Sequence, residues 1–157
     1  MIHVGFDEIT EREIFCVAAS TFGQLPPSFA LPSKRFVALL VADTTQDDVA
    51  TLSRFAESLV TSGCVYFCTW GPGCEHAHDI MDECSLDIDP VIITTWHADE
   101  SLDEALCFFL RNTWPDEKYS EDGSALAITV GSAEWAAQVE RSLRDRDSLT
   151  DDVLAEA

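Results

Sequence analysis

Four short apolar runs, separated by stretches whose apolar residues recur at helical spacing, constrain this chain more than any other feature. The runs cover residues 35–42, 64–69, 90–95 and 125–130 and are rich in β-branched and aromatic residues. Continuous apolarity marks strands buried on both faces, the habit of parallel sheets covered by helices. Between the first two runs, Val49, Leu52, Ala56, Leu59 and Val60 fall on one helical face. Thr45, followed by Asp47 and Asp48, predicts a hydroxyl cap with acids in the first turn, and Gly63 sits where a helix end favours a left-handed residue. A second helix is predicted over 74–84 after the turn Gly71-Pro72-Gly73, with Ala77, Ile80, Met81 and Cys84 inward. Ser101 and Glu104 form a capping box for a third, carrying Ala105, Leu106, Phe109 and Leu110. Ser132 caps a fourth, whose stripe is Trp135, Ala136, Val139 and Leu143.

Strands that alternate with helices predict an α/β fold with right-handed crossovers. The expected architecture is a three-layer sandwich around a short, mostly parallel sheet of four to five strands. Its winding is flavodoxin-like or Rossmann-like, and the simplest order of the four runs is 2-1-3-4. Residues 35–144 form the α/β domain. Residues 1–34 are expected as an extension that packs on it or pairs with it: Ile14 to Ala19 reads as a strand or a helix end, and Leu25-Pro26-Pro27 breaks any regular element. Residues 145–157 read as an acidic tail with a single marginal turn around 149–154.

Charge narrows the function. The formal net charge is −20, and the segment from residue 55 to residue 110 contains eleven Asp and Glu but no Lys or Arg. Such a field repels nucleic acid, anionic lipid and polyphosphates and favours a basic protein partner or a metal cation. Solubility or salt adaptation would ask for the same charge. The apolar runs are too short to span a bilayer, so no membrane is expected. The first eight residues lack the basic and apolar regions of a secretory signal. The six cysteines, without such a signal, are therefore expected as reduced and mostly buried thiols in the cytoplasm.

In open parallel sheets, ligands bind beyond the carboxyl ends of the strands. That rule selects Asp43-Thr44, residues 70–78, residues 96–100 and Gly131-Ser132. Thr69-Trp70-Gly71 and Thr95-Trp96-His97 resemble one another, which predicts two indoles flanking one crevice. The expected binding surface is Asp43, Trp70, Gly71, Gly73, Glu75, Asp79, Trp96, Asp99 and Glu100. The run from Gly71 to Asp79 is neither a P-loop nor a dinucleotide fingerprint, and Glu75 and Asp79 oppose a phosphate. Cys74 and His78 stand four apart, a chelating spacing on a helix, and His97 would approach from the neighbouring strand end. These three are the candidate ligands of a divalent metal; no other cofactor is expected. Cys74 at a helix start is also a conceivable nucleophile, with His76, His78 or His97 as base, but the surrounding acids raise a thiol's pKa.

The block Val65-Tyr66-Phe67-Cys68-Thr69-Trp70-Gly71-Pro72-Gly73-Cys74-Glu75, with Thr94-Thr95-Trp96-His97, resembles a family of small bacterial α/β proteins without an assigned function. The resemblance covers roughly residues 35–143 and implies a bacterial cytosolic origin, with no catalytic residues to carry over. Three readings follow. The first is a non-catalytic module whose acidic face engages a basic protein, as an immunity, antitoxin or defence-associated protein would. The second is an enzyme or metal-dependent small-molecule site that requires Cys74, His78, His97 and Asp43 to converge. A third reading is a structural or homo-oligomerising subunit whose edge strand pairs with a copy of itself.

Overall fold

The computed structural model describes residues 1–156. Its strands are β1 (Ile2–Asp7), β2 (Arg12–Ala19), β3 (Phe36–Ala42), β4 (Cys64–Trp70), β5 (Ile93–Trp96) and β6 (Ser124–Val130). The helices are α1 (Val49–Ser62), α2 (Cys74–Cys84), α3 (Leu102–Arg111), α4 (Ala133–Arg144) and α5 (Arg146–Glu156). The α/β class is as expected, but the described residues form one six-stranded sheet in the order β1-β2-β6-β3-β4-β5. Only the β1–β2 pair is antiparallel.

Both the strand count and the winding therefore correct the expectation. The four apolar runs lie in the order 4-1-2-3 rather than 2-1-3-4. From β3 the chain steps outward through α1 to β4 and through α2 to β5, then returns through α3 to place β6 on the other flank of β3. A right-handed crossover puts its helix on one face when the chain steps one way and on the opposite face when it steps back. So α1 and α2 cover one face, where Phe55, Leu59 and Met81 pack on Phe36, Leu40, Phe67 and Ile128. The others cover the second face, where Leu106, Phe109, Val139, Leu143 and Leu149 pack on Val37, Leu39, Cys68 and Ala127. Every residue of β3 and β6 is buried. At roughly 1.5–3 kcal/mol for each large apolar side chain withdrawn from water, these two strands must occupy the centre. β5, Ile-Thr-Thr-Trp, is only partly buried and takes an edge.

The first nineteen residues supply two strands to this sheet, and β2 pairs along β6 from Glu13 to Ala19. Local capping differs at one helix. Asp48, not Thr45, is the N-cap of α1, its carboxylate accepting from the Thr51 N–H at 2.8 Å, and no acid occupies the first turn. Gly63, the Ser101–Glu104 capping box and the Ser132 cap stand as expected. The tail holds the helix α5 in place of a single turn, with Leu149 buried in the core. All six cysteines are free, and four of them (Cys16, Cys64, Cys68 and Cys74) are buried. No helix of the described residues is long and apolar enough to cross a membrane.

Candidate functional site

After β4 the chain leaves into α2 on one face of the sheet, and after β5 it leaves into α3 on the other. Neighbouring strands whose exits diverge leave a gap between them, and here the gap is an open crevice of about 690 Å³. Its walls are residues 70–76 with Asp79 on one side and residues 97–100 on the other. Two glycines let the β4–α2 turn lie close over the end of β3. Gly71 has φ 118°, and a Cβ there would sit 2.1 Å from the Ala42 carbonyl oxygen. Gly73 has φ 81°, and a Cβ would stand 2.7 Å from the Thr44 hydroxyl oxygen. Thr44 in turn donates its N–H to the Pro72 carbonyl at 2.9 Å, which pins the turn.

Trp70, Gly71, Gly73, Cys74, Glu75, Asp79, His97, Asp99 and Glu100 all line this crevice, as the strand-end rule anticipates. The Trp70 indole N–H donates to the Glu100 carbonyl at 2.8 Å, and its ring meets Trp135 edge-on at 5.1 Å. Trp96 does not join it. The β4–β5 register sets Trp96 opposite Thr69, not opposite Trp70, so the two indoles point to opposite faces. Trp96 packs instead on the His78 ring at 4.5 Å and stays nearly half exposed. Asp43 also lies outside the crevice walls; its carboxylate accepts from the Thr45 hydroxyl and N–H, which hold its pKa below the ordinary range.

The three proposed metal ligands are not brought together. His78, on α2, is buried: Asp79 accepts from its Nδ1 at 2.9 Å, and its Nε2 is hydrogen-bonded to the Thr94 hydroxyl at 3.0 Å. Asp82 completes that group, accepting from Thr94. His97 is buried on the other side of β5, where Glu100 accepts from its Nδ1 at 2.5 Å and the Thr95 hydroxyl meets its Nε2 at 3.0 Å. Its ring packs against Phe108 at 4.5 Å, tilted by 54°. Cys74 is buried at the start of α2 and is not among the hydrogen-bond partners of either imidazole. Among the described residues, no three His, Cys, Asp or Glu side chains are arranged to hold a metal ion. Burial pushes the Cys74 thiol up, which also disfavours a thiolate nucleophile there; the deeper Cys64 and Cys68 are pushed up to about 12.

Asp82, Thr94, Thr95 and Phe108 are the contributors that sequence reasoning missed. Two signals for them were present. Asp82 stands four residues after His78 on α2, and the adjacent threonines of β5 must face opposite sides of the sheet. What the crevice offers chemically is four carboxylates, Glu75, Asp79, Asp99 and Glu100, beside one indole, with no cation among its lining residues. Such carboxylates pair with an ammonium or guanidinium group, and the same lining also carries the exposed imidazole of His76.

No curated protein and no solved structure matches this chain. The profile of a family described as a domain of unknown function, DUF7684, matches residues 15–146, which takes in the four apolar runs and β2 from Phe15 onward. The chain belongs to that family.

Proposed function

We propose that this protein is a non-catalytic acidic module that engages a basic protein partner through the crevice between the β4 and β5 strand ends. The observation that carries the reading is the lining: Glu75, Asp79, Asp99 and Glu100 around Trp70, within a segment of 56 residues (55–110) that holds no Lys or Arg. A cleft walled by carboxylates steers cations toward it and discriminates against anionic partners. Trp70 supplies a flat apolar surface on which a lysine or arginine stem can lie while its charged end reaches a carboxylate. A basic toxin or nuclease held by an immunity or antitoxin protein, in a bacterial cytosol, is the partner class this chemistry suits. The alternative, a metal-dependent or catalytic strand-end site, loses support because Cys74, His78, His97 and Asp43 do not converge.

The test is native mass spectrometry of the untagged protein from cells that naturally express it, beside a Glu75→Gln/Asp79→Asn/Asp99→Asn variant. The wild type should carry a stoichiometric basic protein at low salt. The variant should hold the same partner about tenfold less tightly, with a weaker salt dependence and nearly unchanged thermal stability. Recovery with no basic protein, or equal capture by the variant, overturns the reading. A metal-loaded species that loses its ion on Cys74→Ala or His78→Ala substitution would replace it with the metal site.

A further inference from the structure

The acidic segment ends the sheet as well as walling the crevice. β5 pairs with β4 alone, in the register Tyr66–Ile93 through Thr69–Trp96. The His97 N–H donates to the Thr69 carbonyl at 3.0 Å, so peptide groups at alternate positions of this strand, His97, Thr95 and Ile93, face β4. Those of Thr94 and Trp96 face outward, where no further strand lies. Exposed edges of this kind are templates for another chain, and sheets ordinarily protect them with lysines, bulges or a covering element. The β4–β5 pairing has no register shift, and β5 itself carries no Lys or Arg.

Resting on the function proposed above, we infer that the outer edge of β5 seats the basic partner, as an extended Lys- or Arg-rich segment that adds to the sheet as a further strand. Strand addition divides the labour between backbone and side chains: main-chain hydrogen bonds give affinity, and alternate side chains give selectivity. On the α2 side, alternate side chains of the incoming strand would meet Asp82 and Asp79, whose carboxylates are 50% and 65% exposed, and the exposed face of Trp96. Lysine or arginine satisfies all three, as ion pairs and as a cation over an indole. The exposed Val91 extends the same edge with an apolar contact. A second copy of this chain fits poorly, because pairing two such edges would bring together two acidic segments free of basic residues.

The experiment uses a capped ten-residue peptide of alternating lysine and valine as probe, with a glutamate–valine peptide and an alternately N-methylated lysine–valine peptide as controls. Amide shifts and hydrogen exchange are read on the isotope-labelled full chain. The lysine peptide should shift and protect the Thr94 and Trp96 amides, and the glutamate peptide should leave them unchanged. N-methylation keeps the charge but blocks strand pairing and should weaken binding about tenfold or more. Asp79→Asn/Asp82→Asn should weaken binding several-fold at low salt. Equal binding of the N-methylated peptide overturns the inference. A response confined to Glu75 and Asp99 overturns the edge seat while keeping the crevice reading, and no binding to either surface counts against both. Self-association that protects the Thr94 and Trp96 amides in the free protein would replace the partner by a second copy.

Discussion

The two edges of the sheet are managed in opposite ways. At the β1 edge, the pairing with β2 is interrupted by a register shift between His3 and Gly5. The Arg146 guanidinium packs against Gly5 and donates to the Phe6 carbonyl at 2.9 Å. Behind this edge, Arg111 pairs with the buried Asp7 at 2.8 Å. The buried Arg12 donates to the Thr113 hydroxyl and carbonyl and to the Asp122 carboxylate. β5 pairs with no shift in register and carries no basic residue of its own. All nine Lys and Arg of the chain lie outside the segment from 55 to 110. Three of the nine, Arg12, Arg111 and Arg146, tie down the β1 side of the sheet, while the β4–β5 side has none in its own segment. The acids are spread along the whole chain; what is local is the absence of Lys and Arg from residues 55–110.

The comparison can be broken most severely at Arg12. Replacing it by Met leaves the Thr113 carbonyl and the Asp122 carboxylate without their buried partner, and such losses cost about 3 kcal/mol. Urea unfolding should show that loss. A change below about 1 kcal/mol would mean that the β1–β2 side is not held by its arginines. A smaller effect is expected on the β4–β5 side, where α3 leaves the crevice wall through its capping box. Ser101→Ala removes the hydroxyl that accepts from the Glu104 N–H at 3.1 Å and should cost about 1 kcal/mol, read as a lower melting temperature. The smallest change in stability, under about 1 kcal/mol, is expected for Arg146→Ala. Its signature should be faster amide exchange in β1 and a new tendency to self-associate, with β5 exchange unchanged. If β1 exchange does not respond, the closing of that edge rests on the register shift alone.

Much of the local structure was legible because its causes are local. The capping box of α3, the Gly63 stop and the inward faces of the helices are set by residues three or four apart. The crevice was legible through the strand-end rule, which named most of its lining. The pairing of Trp70 with Trp96 was not. Both follow a threonine at a strand end, but their shared setting in sequence conceals a one-residue offset in register, and that offset sends the rings to opposite faces. The same alternation separates His78 from His97, which appeared able to share a metal. The N-terminal hairpin was obscured for a different reason: Ile14-Phe15-Cys16-Val17-Ala18-Ala19 is equally apolar as a strand or a helix, and only its pairing with β6 decides.

By itself the sequence determined the class of fold, the identity of most elements and the sign of the charge around β4, α2, β5 and α3, since these follow from short-range periodicity and composition. The tertiary structure alone decided the strand order, the register and therefore which side chains meet. Backbone pairing is nearly indifferent to residue type, so the order emerges only when burial is summed over the whole sheet. That sum places the wholly buried β3 and β6 at the centre and leaves the two-threonine strand, with its outward peptide groups, at the acidic edge.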